Sequence, residues 1–269
     1  MSLFSTVSSS LSKHSHRYCA CLQYVGSAYH GWQKQPHGHD SVQAQVEAAL
    51  SKVADHPVTT VCAGRTDSGV HALGQVIHFD AHASRTHQAW LNGTNHHLPP
   101  DIKLLWVKQA PADFHARFSA TSRTYYYFID QAKTPNPFMH KRMLWLPQPL
   151  DLFALNKAAS VWLGEHDFSS FRDSHCQSHT PFRNLMYCQA EATEPSVVRI
   201  TIQANAFLHH MIRNMMGVLI PIGLGQKPMS WANSVLKARS RSSAGKTLAA
   251  HALYFAQVDY PSAVINQWF

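Results

Sequence analysis

Hydrophobic periodicity in this chain switches between two residues and about 3.6 in a fixed order, and the order occurs twice. Residues 17–24 alternate, with Tyr18, Ala20, Leu22 and Tyr24 on one face. A helix follows, opened by Asp40 and Gln43 as a capping box, with Val42, Val46, Ala49, Leu50 and Val53 on one stripe. Residues 58–63 and 75–80 read as strands, 86–95 as a short helix stopped before Leu98-Pro99-Pro100, and 102–109 as a strand. The same order then returns: a strand over 123–130, a helix capped by Asp151 and stopped at Gly164, strands over 184–192 and 197–204, and a long apolar helix over 207–223. An added helix over 230–238, a basic, Ser-rich loop over 237–246 and a last strand over 253–259 complete it. Strand-helix-strand-strand-helix-strand is the ferredoxin-like pattern. The expected fold class is therefore α+β: two tandem ferredoxin-like (βαββαβ) halves forming one mixed, mostly antiparallel sheet with helices on one side. The halves are placed at 17–112 and 113–261, between a disordered, Ser-rich tail over 1–16 and a C-terminal tail over 262–269.

Composition narrows the class of partner. The chain of 269 residues has a formal charge of +8 and a pI near 9.3, which favours a polyanion, nucleic acid above all. Five cysteines without paired spacing suit a reducing compartment, hence a cytoplasmic location. No apolar run approaches the roughly 18 residues of a membrane span, so no membrane partner is expected, and residues 1–16 lack the apolar core of a signal peptide. The adjacent histidines at 96/97 and 209/210 lack the spacing of a metal site and read as surface or polar-contact residues, so no metal is expected.

The chemistry concentrates in one loop. Gly64-Arg65-Thr66-Asp67-Ser68-Gly69 separates two apolar strands and sets a guanidinium and a carboxylate between glycines that allow close backbone approach to a ligand. Taken alone, an Asp-Ser-Gly is better read as a turn aspartate bonded to its own backbone, with Arg65 as a surface charge. Arg213 changes the balance, because it interrupts an otherwise apolar helix and a buried guanidinium needs a carboxylate or phosphate partner. Asp67 can be that partner, and a carboxylate held by arginines stays ionised, as a nucleophile or charge stabiliser requires. Asp67-Ser68-Gly69 is also the tripeptide of an aspartic peptidase, but a second copy is absent and Arg65-Thr66 precedes it instead of apolar residues. A zinc nucleobase deaminase is excluded by the lack of His-x-Glu with Pro-Cys-x-x-Cys. A non-catalytic RNA-binding module would use the same basic surface.

Residues 64–76, Gly-Arg-Thr-Asp-Ser-Gly-Val-His-Ala-Leu-Gly-Gln-Val, resemble the signature of the tRNA pseudouridine synthase A family. Gly31-Trp32-Gln33, Leu91-Asn92, Leu98-Pro99, Phe114-His115-Ala116-Arg117-Phe118-Ser119-Ala120, Arg123-Thr124-Tyr125, Gly164-Glu165-His166-Asp167-Phe168 and Ala206-Phe207-Leu208-His209-His210-Met211-Ile212-Arg213-Asn214 match in the family's order. The resemblance runs from about Tyr18 to Pro261. It implies isomerisation of uridine to pseudouridine in the anticodon stem-loop of tRNA, at positions thirty-eight, thirty-nine and forty. It implies Asp67 as catalytic carboxylate, Tyr125, Arg65 and Arg213 in the active site, and Leu253 as an apolar contact for the base. It further implies no cofactor and no metal, tRNA and not DNA as partner, and a homodimer. Val25, where the family often has an acidic residue, Ser68, where Ala is commoner, and Ala250-His251-Ala252, in place of Pro-x-Gly, depart from the pattern.

Overall fold

The computed structural model describes residues 15–35, 38 and 40–265. The expected order of strands and helices is present: β1 (His16–Tyr24), α1 (Val42–Ala54), β2 (Thr60–Cys62), β3 (His71–Ala81), α2 (His87–His97), β4 (Ile102–Gln109), then β5 (Ser122–Asp130). After it come β6 (Leu144–Trp145), α3 (Leu152–Ala159), β7 (Gly164–Asp167), β8 (Phe182–Glu194), β9 (Val197–Ala204), α4 (Met211–Gly223), α5 (Ser230–Ala238), β10 (Leu253–Asp259) and α6 (Ser262–Ile265). One ten-stranded sheet runs β4-β1-β3-β10-β5-β9-β8-β7, with β2 beside β3 and β6 beside β5. The fold is α+β with a mostly antiparallel sheet; β10 with β3 and β5 with β6 are the parallel pairs.

The two ferredoxin-like units meet at β3. Its far end pairs antiparallel with β2, Thr60 opposite Phe79 and Cys62 opposite Ile77. Its near end pairs parallel with β10, His71 opposite Tyr254 and Ala72 opposite Phe255. A single strand edge thus changes partner halfway along, and the chain between β2 and β3 leaves through the resulting fork. That chain is the Gly64–Gly69 loop.

Some boundaries differ from the sequence reading, each for a local reason. The N-cap of α1 is Ser41, whose side chain accepts from the Ala44 N–H, and not Asp40. β2 spans three residues because β10 takes the rest of the β3 edge. α4 begins at Met211 instead of residue 207, because His210 has φ +60 and a left-handed residue cannot continue a right-handed helix. β6 and β7 had no signal, since two- and four-residue strands show no alternation. In the assigned tails, His16 belongs to β1 and 262–265 are helical, while residues 1–14 and 266–269 lie outside the described residues.

Buried histidines act as structural acceptors. His78 Nδ1 accepts from the Ala116 N–H at 3.1 Å, fixing the crossing segment onto β3. Burial, then Arg17, pushes its imidazole down to about 4. His71 Nδ1 accepts from the Gly26 N–H at 3.0 Å, so its Nε2–H faces the carbonyls of Lys141 and His251, both at 3.0 Å.

The basic loop after α5 is a strap and not a free charged arm. Arg241 donates to the Gly245 carbonyl, Thr247 Oγ1 and Asn214 Oδ1, and the strap crosses α4 where Gly245 meets Gly217 backbone to backbone. Pro221 has no N–H for the Gly217 carbonyl, and that carbonyl is the one Gly245 packs against. A Cβ on Gly217 would fall far inside contact distance of the Lys246 carbonyl oxygen. Helix propensity alone predicts that Gly217→Ala stabilises by up to about 1 kcal/mol. The clash reverses the sign, and urea unfolding is expected to show a loss of about 1–3 kcal/mol; a raised midpoint would show that the strap does not lie against the helix.

Candidate active site

The loop at the fork is built to hold one side chain outward. Thr66 is buried, its hydroxyl 2.8 Å from the Tyr24 hydroxyl and its carbonyl accepting from the Trp32 N–H at 3.0 Å. Gln75 Nε2 donates to the Gly64 carbonyl at 2.6 Å, and Gly64 lies against the Phe255 ring of the other unit. The Val70 N–H closes a turn on the Asp67 carbonyl at 3.1 Å, with Gly69 at φ +81 in the third position, as a type II turn demands. Gly31, at φ +88, packs against the Thr66 carbonyl, where a Cβ would stand 2.7 Å away. The Gly-Trp-Gln segment is therefore the floor of this loop.

Asp67 meets the N-terminus of α4. Arg213 Nη1 lies 3.2 Å from Asp67 Oδ2, with the two side chains 16 % and 22 % exposed. Arg213 Nε donates to the Leu248 carbonyl at 2.7 Å, and the Leu248 N–H returns a bond to the Arg213 carbonyl at 3.2 Å, so the strap fixes the guanidinium. Arg65 takes no part in the cluster. Its side chain is exposed and, among the described residues, makes no hydrogen bond or ion pair.

Tyr125, on β5 opposite Phe255 of β10, is only 7 % exposed and stands edge-on to Phe207 (5.1 Å) and Phe255 (4.9 Å). Burial first, then the nearby Tyr24 and Asp67, pushes its phenol well above the usual tyrosine range. Leu253, the first residue of β10, is buried opposite Tyr127.

Three further residues join Asp67. His209 Nε2 is 3.5 Å from Asp67 Oδ1, and His210 Nε2 is 3.4 Å from Oδ2. The rings are stacked, their centroids 3.9 Å apart. On the far side Asp173 closes the group, Oδ2 lying 2.8 Å from His210 Nδ1 and Oδ1 3.3 Å from His209 Nδ1. Burial opposes ionisation of Asp173, but the His175 N–H and the His210 side chain outweigh it and hold this carboxyl far below its usual range. Two imidazoles are thus sandwiched between two carboxylates. The sequence reading passed over His209 and His210 as non-ligands, although they directly precede Arg213 in a quoted motif; Asp173 lies in an irregular loop with no signal. Among the described residues, Asp67, His209 and His210 are the one group of three such side chains whose ligand atoms all lie within 4.8 Å of one another.

The other conspicuous arginine has a structural task. Arg123 is buried and donates to the carbonyls of Ala63, Ala120, Asn205 and Arg117, tying the loop's leading strand to the crossing segment. Arg117 is exposed, its guanidinium 5.5 Å over the exposed Phe118 ring.

A family model described as tRNA pseudouridine synthase matches residues 20–119 and 158–261. The chain is 48 % identical over 242 residues to tRNA pseudouridine synthase A of Hydrogenovibrio crunogenus, covering 90 % of this chain and 92 % of the relative. The corresponding figures are 49 %, 89 % and 90 % for that of Bordetella petrii, and 47 %, 90 % and 88 % for that of a Klebsiella pneumoniae strain.

The Asp67–Arg213 contact is energetic only if the partners are coupled. Arg213→Met is expected to cost about 1–3 kcal/mol by urea unfolding, and less in the Asp67→Asn background. The resulting double-mutant cycle should give a coupling of about 0.5–3 kcal/mol; strict additivity would reduce the contact to mere proximity.

Proposed function

The chain belongs to the tRNA pseudouridine synthase family, and we propose that it isomerises uridine to pseudouridine in the anticodon stem-loop of tRNA, at positions thirty-eight, thirty-nine and forty, with Asp67 as the catalytic carboxylate. The observation that carries this reading is Asp67 itself: a partly exposed carboxylate on a rigid turn, gripped by Arg213 and lying within the field of a buried tyrosine. The reaction moves no electrons to an acceptor. The bond from C1′ to N1 breaks, the uracil turns, C5 bonds to C1′, and the C5 proton is lost while N1 gains one. A nucleotide lifted out of the stack presents C1′ and C2′ to a fixed group. Asp67 serves there either by adding to C1′ or by taking the C2′ proton.

Arg213 orients Asp67 and opposes its charge from one side, which leaves the other side for the sugar. Arg65 has a free guanidinium on the same loop and is suited to a backbone phosphate. Tyr125 supplies an aromatic edge for the base, with Leu253 as apolar backing. Because its phenol remains protonated at neutral pH, Tyr125 acts as a packing surface and hydrogen-bond donor, and proton removal from C5 goes through water or another group. Catalysis is then chiefly positioning and electrostatics.

The same reading assigns the catalytic loop to a unit over 17–112 and the opposing surface to 113–261. It includes a homodimer sharing one tRNA surface, to which a charge of +8 is suited, and a cytoplasmic location, with which five free cysteines accord; no helix among the described residues is long and apolar enough to cross a membrane.

Unmodified tRNA tritiated at uridine C5 provides the test. The parent protein should release tritium, while Asp67→Asn should bind the tRNA and release none above background. Release by Asp67→Asn at the parent rate would move the catalytic role to another residue. For Tyr125→Phe the expectation is retained binding with release slowed by about 100–1000-fold, the range for loss of one hydrogen-bond donor to developing charge; parent-like release would leave only the ring, not the hydroxyl, in the mechanism.

A further inference from the structure

We propose that Asp67, His209 and His210 form a site for a divalent cation of the zinc class, and that filling it silences the enzyme. The silencing rests on the reading of Asp67 as the catalytic carboxylate; the binding does not.

His210 Nδ1 is hydrogen-bonded to the Asp173 carboxylate at 2.8 Å, and His209 Nδ1 lies 3.3 Å from its other oxygen. An imidazole that donates Nδ1–H presents a lone pair at Nε2. Both Nε2 atoms lie beside Asp67, His209's 3.5 Å from Oδ1 and His210's 3.4 Å from Oδ2, and the three side chains bring one ligand atom each within 4.8 Å of the others. A cation placed among the three satisfies all of them. A carboxylate behind a histidine is also the device that fixes the tautomer and raises the basicity of metal-bound imidazole.

Spacing supports the same occupant. Tetrahedral zinc with bonds of about 2.0–2.1 Å sets its ligand atoms about 3.3 Å apart. Each Nε2 already stands about that far from one Asp67 oxygen, and small side-chain rotations bring the set, now within 4.8 Å, around one ion. The three side chains are 22–38 % exposed, which gives a cation access and leaves positions for water. His96 and His97, also adjacent in sequence, meet edge to face and join no ion pair among the described residues.

Charge sets the limits of the site. Arg213, 3.2 Å from Asp67 Oδ2, and the positive end of α4 oppose a cation, while the carboxylates of Asp67 and Asp173 attract one. Affinity is therefore moderate and depends on the imidazoles. Nitrogen ligands suit zinc, cobalt or nickel, whereas magnesium prefers oxygen ligands in a regular octahedron and keeps its water. The site thus discriminates against the ion that accompanies tRNA.

Cobalt(II) titration of the full chain, read by visible d–d absorption and reversed by zinc, tests the binding. Saturable cobalt binding is expected. It should weaken at least about tenfold in His209→Gln and in His210→Asn, and about 10–100-fold in Asp173→Asn, the range for loss of a partner behind a ligand. Asn is chosen at 210 because it tolerates a left-handed backbone, and the urea midpoint of each variant shows that it is folded. Absence of cobalt binding, or binding unchanged in the folded His209→Gln and His210→Asn proteins, would overturn the site. Zinc should also stop tritium release by the parent protein, while millimolar magnesium should not. Zinc bound in a His209- and His210-dependent manner with release continuing would keep the site and overturn both the silencing and the catalytic reading of Asp67.

Discussion

The contact between Asp67 and Arg213 joins residues 146 positions apart in sequence, and each partner is fixed by a different unit. Asp67 is set by β2, β3 and the Trp32 segment, and Arg213 by α4 and the strap over 245–249. Neither unit contains the site alone. What brings them together is a short parallel join, His71 and Ala72 against Tyr254 and Phe255. So brief a ladder does not hold two units by backbone bonds alone. It is reinforced by the His71 ring, which bonds three separate segments and stacks on Tyr254 at 4.6 Å, and by Phe255, which packs against Gly64. The aromatic residues at the seam are thus part of the site's foundation as well as its lining.

The fork in the sheet explains why the Gly64–Gly69 loop can sit where a strand pair would otherwise continue. β3 is long enough for two partners, and by giving half its edge to β10 it leaves β2 short and frees residues 63–70 to turn outward. An open loop at a sheet edge exposes backbone polar groups that need partners. Here they are supplied by the Trp32 N–H, by Gln75 Nε2 of β3 and by the Tyr29 carbonyl, which accepts from the Gly69 N–H at 3.4 Å. Rigidity comes from these bonds, so the carboxylate is aimed by construction and not by its ligand.

Much of this was legible in the sequence because periodicity reports burial directly. β1, β3, β5 and β9 bury alternating or continuous faces, and the repeated element order then leaves few topologies. Asp67 and Arg213 stood out because each was anomalous in its own element, a charge between glycines and a charge in an apolar helix. Asn214 interrupts the same apolar helix, but its partner Arg241 was anomalous only in three dimensions, since their hydrogen bond runs between a loop and a helix with no spacing rule. Asp173 is the clearest case of an unreadable residue. Its role depends on where an irregular loop ends up relative to α4, and composition, period and motif carry no trace of that.

His210 is where local and global demands part. A non-glycine residue in the left-handed region costs about 1–3 kcal/mol, and Asn or Gly would fill it more easily. The same residue is the N-cap of α4, yet its side chain makes no cap bond, although Ser, Asp or Asn there would satisfy a backbone N–H worth about 1 kcal/mol. Two penalties therefore fall at one position, and helix initiation explains neither. Both follow if the requirement is to aim an imidazole. With φ at +60 the ring leaves the helix axis, stacks on His209 and bridges Asp173 to Asp67. A turn optimised for stability alone would have discarded that ring, so the strain at His210 is stored in the same small volume as the Asp67–Arg213 contact.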